Sequence, residues 1–140
     1  MISGEENAVI KAGEILKEQG AKKVIFLNTN GPFHTIKLEK AKEEFEKELE
    51  KITPREGTVP VIKNIDGVLY GKNENIKEIL GRHMVSPVRF DYTIEYMRAQ
   101  NVDNFIEIGP GKTLTGFIRK SISDVNYINV NNIEGLEEII

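Results

Sequence analysis

The strongest constraint on this chain is its alternation of short apolar runs with longer segments of helical period. Val24-Ile25-Phe26-Leu27, the β-branched stretch Val59 to Ile65, Phe105-Ile106-Glu107-Ile108 and Val125 to Val130 have the length and residue types of strands. Between them, Leu38, Ala41, Phe45, Leu49 and Ile52 recur at intervals of three and four over residues 35–52. Ile76, Ile79, Leu80, His83 and Met84 do the same, followed by Phe90, Ile94 and Met97. Connections of this length exceed a hairpin and imply parallel strands joined by helical crossovers, an α/β fold. At 140 residues the chain has the size of one domain.

Local signals set the expected boundaries. Ser3-Gly4-Glu5-Glu6 has the form of a capping box and opens a helix over 5–19 that Gly20 closes, while Ile2 reads as the end of a strand with nothing before it. Asn28 to Pro32 forms a loop, Thr53-Pro54 stops the second helix, and Asn73 caps the third. Ser86-Pro87 breaks that helix and opens the next, with Ser86 as its N-cap, and Asn101 ends it. Gly109-Pro110-Gly111 is a tight turn into a helix starting at Lys112, and the tail from Ile133 is a short helix.

The composition excludes several chemistries. Cys is absent, which removes disulfides, thiolate zinc sites, iron–sulfur clusters and cysteine nucleophiles from this chain. A formal net charge of −3, with lysines interleaved among glutamates, gives no basic face for nucleic acid. The apolar runs fall far short of the ~20 residues that span a bilayer. The N-terminus lacks the basic and apolar regions of a signal peptide. The expected setting is cytoplasmic, with neither nucleic acid nor membrane as a partner.

Gly111-Lys112-Thr113 imitates the end of a phosphate-binding loop, but the glycine required five residues before Gly111 is replaced by Ile106. A strand-to-helix turn explains these residues as well, and an anion site using Lys112 at the following helix N-terminus stays open. The two histidines, His34 and His83, offer no metal-ligand spacing, so no metal is expected. His83 on an apolar helix face fits a buried histidine bonded to a backbone group. His34, after Gly31-Pro32-Phe33 in a strand-to-helix loop, occupies the kind of position from which catalytic groups are presented. None of Ser3, Ser86, Ser121 and Ser123 lies in a G-x-S-x-G elbow, so the residues alone supply one candidate base and nothing for it to activate.

Several ordered segments resemble the C-terminal portion of malonyl-CoA:acyl carrier protein transacylases. They are Ile2-Ser3-Gly4, Gly31-Pro32-Phe33-His34-Thr35, Val61-Ile62-Lys63-Asn64, Ser86-Pro87-Val88-Arg89-Phe90, Phe105 through Lys112, and Leu114-Thr115-Gly116. The resemblance implies that residues 1–30 are the last helix and strand of a ferredoxin-like small subdomain. Residues 31–140 are then the C-terminal part of an α/β-hydrolase-like acyltransferase core. It implies malonyl-CoA and acyl carrier protein as partners, a coenzyme A thioester as substrate with no cofactor, and His34 as the general base for a serine that this chain lacks. His83 stands where the family orients that base, through either a backbone carbonyl or a side-chain amide. Phe33 resembles the Phe-His pair of malonyl-selective members, where a ring fills the space a methyl branch needs; anchoring the loop in the core would place it there equally. The family's serine elbow, carboxylate-gripping arginine and oxyanion hole lie in an N-terminal part not matched here, so the chain alone is expected to be inactive and to self-associate through surface left bare. The alternative is a non-catalytic interaction or assembly module of the same descent.

Overall fold

The computed structural model describes residues 2–29, 31–55 and 57–137. Asn30 of the expected loop and the last three residues of the expected tail helix lie outside the described residues. The elements in chain order are α1 (Glu6–Glu18), a 3-10 turn (Ile36–Leu38), α2 (Glu39–Glu50), α3 (Ile76–Val85), α4 (Phe90–Ala99), β1 (Asn104–Ile108), α5 (Thr113–Ser121), β2 (Asn126–Val130) and α6 (Ile133–Glu137). They divide into two compact units, residues 1–65 with 69–88 and residues 66–68 with 89–140.

In the second unit the expected parallel crossover is present. β1 and β2 pair in parallel from Asn104 opposite Asn126 to Ile108 opposite Val130, with α5 as the connection. Ile94, Phe105 and Ile118 form a buried cluster, with Phe90, Met97, Val102, Ile122 and Val125 packed against it. Ile94, Phe105 and Ile118 lie on α4, β1 and α5 respectively, which is why these three elements share a core. Asn101 closes α4 in the left-handed conformation, with its N–H on the Arg98 carbonyl and the Val102 N–H on the Met97 carbonyl, both at 3.0 Å. That is the Schellman arrangement, and Val102 and Met97 both join the cluster. Gly67 takes a φ of +72° and comes so close to α4 that a Cβ there would sit 2.4 Å from that of Tyr92, so no other residue fits.

In the first unit α2 lies along α3, with Leu49 and Ile79 buried. Gly81 permits this approach, since a Cβ there would lie 2.3 Å from a carboxylate oxygen of Glu46. Two expected strands are not formed here. Residues 24–27 have no ladder partner among the described residues, and Ile25, Phe26 and Leu27 are more than half exposed. A strand exists by pairing, and this run has the residue types without the neighbour. The 59–65 stretch makes only an isolated antiparallel bridge, Ile62 opposite Leu69.

Three caps also differ from expectation. Glu5, in extended conformation, precedes α1 without any side-chain cap, so Ser3 does not close a capping box. Asn75, two residues after Asn73, caps α3 by accepting from the Glu78 N–H at 3.4 Å. Ser86 ends α3 as its C-cap and does not begin α4, because Pro87 and two further non-helical residues intervene. Among the described residues no helix is long and apolar enough to cross a membrane.

Candidate functional site

The loop between residues 28 and 35 delivers His34 to the C-terminal end of α3. Thr35 donates its hydroxyl to the Pro32 carbonyl at 2.7 Å, tightening the turn, and His34 adopts a left-handed φ of 59°. That conformation is uncommon for a residue with a Cβ and is sustained only where the surroundings impose it. The imposing contact is a hydrogen bond of 3.0 Å between His34 Nδ1 and the backbone carbonyl of His83. The last four carbonyls of a helix have no partner within it, and His83 belongs to the last turn of α3, so its oxygen is free for this use.

The consequences for His34 are chemical. A carbonyl only accepts, so Nδ1 carries the proton and the lone pair is left on Nε2, the tautomer a general base requires. The helix C-terminus also places partial negative charge beside the ring. At position 83 it is the backbone carbonyl, not the side chain, that takes the hydrogen bond of His34.

The His83 side chain is half-buried, its ring centroid 5.0 Å from that of His34 and tilted by 36°. Its Nε2 is buried without a hydrogen-bond partner among the described residues. Burial, and then the neighbouring His34, hold its pKa below the ordinary histidine value. Phe33 is 58 % exposed, so it does not anchor the loop in a core; its ring lies over the α-carbon of Gly31.

The Gly109-Pro110-Gly111 turn in the second unit is closed by the chain itself. Both glycines take positive φ, and the Glu107 carboxylate reaches across to accept from the N–H groups of Leu114 and Thr115, at 3.1 and 2.8 Å, and from the Thr115 hydroxyl at 2.5 Å. Asn129 donates to the Gly111 carbonyl at 2.8 Å. These bonds hold the Glu107 carboxyl below its usual range. The helix N-terminus that made Lys112 interesting therefore already holds an anion, and a second would meet the first's charge. Glu107 escaped the sequence reading; a carboxylate on a strand seven residues before a helix's first free N–H was the available sign. Among the described residues no group of three or more metal-ligating side chains converges.

A family model described as acyl transferase domain matches residues 1–137. A malonyl CoA-acyl carrier protein transacylase of Bacillus subtilis is 38% identical over 137 residues, covering 98% of this chain and 43% of that protein. The crystal structure of a malonyl CoA-acyl carrier protein transacylase from Clostridium perfringens matches with a TM-score of 0.90 at 40% identity, over 97% of this chain and 43% of that one. A malonyl-transacylase solved in complex with a type II PKS acyl-carrier protein matches with a TM-score of 0.87 at 32% identity, over 96% and 43%. This chain thus spans about two fifths of the length of these relatives. On a family match running through almost every residue, the chain belongs to the acyl transferase domain family.

Proposed function

We propose that this chain is the C-terminal portion of an acyltransferase that moves malonyl from malonyl-CoA to the phosphopantetheine thiol of acyl carrier protein, in fatty-acid or polyketide synthesis, with His34 as the general base. The observation that carries the reading is the 3.0 Å bond from His34 Nδ1 to the His83 carbonyl, which supplies the tautomer and the fixed ring that serine activation needs. In the reaction, His34 Nε2 takes the serine hydroxyl proton as the oxygen attacks the malonyl thioester, and the proton passes to the departing coenzyme A sulfur. The carrier protein's thiol then gives its proton to His34 as its sulfur attacks the acyl-serine, and His34 passes that proton to the departing serine oxygen, returning both residues to their starting state. The serine and the oxyanion donors come from sequence that the relatives have and this chain does not match, so the 140 residues alone are inactive.

On this reading residues 1–30 end a ferredoxin-like subdomain and residues 31–140 belong to an α/β-hydrolase-like core, in a cytoplasmic enzyme. The substrate is a coenzyme A thioester and no cofactor takes part. Phe33, exposed beside the base, narrows the acyl pocket toward malonyl. A non-catalytic assembly module is the second reading, favoured by the bare face of the β1–β2 pair. There Ile106, Ile108 and Ile128 are 51%, 77% and 44% exposed on a parallel sheet of the kind normally covered on both faces. The same surface gives self-association of the isolated chain.

Intact-protein mass after incubation with malonyl-CoA tests the first reading. The chain alone should stay unmodified, and a fusion to the complementary portion of the Bacillus subtilis relative should gain one malonyl group, lost on mutating the elbow serine. An adduct on the 140 residues alone, or none on a folded fusion, would overturn it.

A further inference from the structure

Any residue at position 83 would offer the same carbonyl, so the acceptor does not explain why an imidazole stands there. Its ring lies against His34, and its buried Nε2 has no hydrogen-bond partner among the described residues. Among the described residues no ion pair to either ring is present. α2 and the 3-10 turn pack against α3, and their charges are committed elsewhere: Glu46 lies over Gly81 and faces Lys42 at 3.9 Å, Glu50 faces Lys77 at 3.4 Å, and Lys37 pairs with Glu5. Arg82, on α3 itself, is exposed. Among the described residues the one charge partner acting on His83 is His34.

We propose that the His83 side chain is a positioning residue for the base, its flat ring covering His34 and the Nδ1–H···O=C bond so that water does not compete for the carbonyl. This rests on the reading of His34 as the base and adds a second layer to it. A helix-terminal carbonyl open to solvent exchanges its partner for water at little net cost, whereas one shielded by a ring keeps it. Free imidazole in histidine prefers the proton on Nε2, so the tautomer needed for catalysis has to be enforced, and the enforcement weakens wherever water reaches the bond. The approach of the two rings, 5.0 Å between centroids at a tilt of 36°, is the contact through which the His83 ring covers His34.

The chain has only two histidines, so ring ¹⁵N spectra of the labelled 140-residue protein resolve both directly. Above the titration range of both rings, wild type should show His34 protonated at Nδ1 with a slowly exchanging proton. His83→Phe keeps a flat cover and should retain that signature. His83→Ala should move the His34 tautomer ratio and the Nδ1 proton exchange by about tenfold, the equivalent of one hydrogen bond. His83→Gln, which restores an amide without a ring, should fall between. An Ala variant with the wild-type tautomer and exchange would overturn the proposal, as would a folded Phe variant that behaves like Ala. Far-UV circular dichroism on each variant separates loss of cover from loss of fold. The reading of His34 as base fails separately, if His34→Ala leaves malonyl transfer intact in the fusion while the spectra behave as stated.

Discussion

Two stretches of this chain look alike in sequence and differ in structure. Val24 to Leu27 and Phe105 to Ile108 are four-residue stretches with the residue types of a strand, and each leads to a Gly-Pro turn that carries a candidate group, His34 in one and Lys112 in the other. The second run pairs with β2, buries Phe105 and has its turn closed by Glu107. Among the described residues the first has no strand partner and leaves Phe26 57% exposed, and its loop is tied to α3 by the bond from His34. Residue type gives a run the capacity to be a strand, and a neighbouring strand makes it one. The turn held by many bonds has spent its free N–H groups on its own carboxylate; the lightly held one keeps an imidazole nitrogen available for chemistry.

The largest effect expected from this contrast is on catalysis. In the fusion that restores the complementary portion, His34→Ala should lower malonyl transfer by about 10²–10⁴-fold, the range of a positioned general base. Lys112→Ala in the other turn should leave the rate within a few-fold. Steady-state transfer to carrier protein measures both, and equal losses would erase the distinction between the turns. The next effect is on stability. Phe105→Ala removes a ring from a buried cluster and should cost about 3–5 kcal/mol, while Phe26→Ala should cost under about 1 kcal/mol in the isolated chain. Urea unfolding of the two variants checks the pair, and a comparable loss at Phe26 would mean that the first run is buried in solution by self-association.

These differences mark how far the sequence was legible. The helices were readable because each carries its own period, and β1, α5 and β2 because the partner strand lies only a crossover away in the chain. The 24–27 run misled because residue type gives only the capacity for a strand, and no ladder partner forms beside it among the described residues. Of the site, His34 was visible as a polar residue in a Gly-Pro loop. Its partner was a backbone carbonyl, which every residue has and no residue type announces. Glu107 was hidden differently: a carboxylate on a strand looks like surface until the turn folds a helix N-terminus onto it.

Smaller effects separate the two turns further. Thr115 is buried and gives its hydroxyl to Glu107, so Thr115→Val should cost about 1 kcal/mol, read as a lowered thermal midpoint. The same clamp sets a pH window. Because the bonds from Thr115 and Leu114 depress the folded-state pKa of Glu107, its contribution is present above the ordinary carboxylate value of 4.5 and is lost as pH falls through the depressed value. Glu107→Gln should therefore destabilise the chain near neutrality and approach wild type in acid. A difference independent of pH would show that the carboxylate's charge is not what holds the turn.

The other turn has its window at higher pH, and the effect there is the smallest. His83 is depressed below 6.5 by burial and then by His34, so as pH falls past 6.5 the unfolded chain takes up a proton that the folded chain refuses, and stability declines until the folded ring also titrates. His83→Phe removes that difference along with the unpartnered buried nitrogen, and should be at least as stable as wild type near pH 8 and more so near pH 6. Thermal midpoints of the two proteins across that interval measure it. Parallel curves would place the His83 ring in water in the folded state, which would also remove the cover over the His34 hydrogen bond; diverging curves, with Glu107→Gln changing only at lower pH, would show the two turns titrating separately, one through a carboxylate that must stay charged and one through an imidazole that must stay neutral.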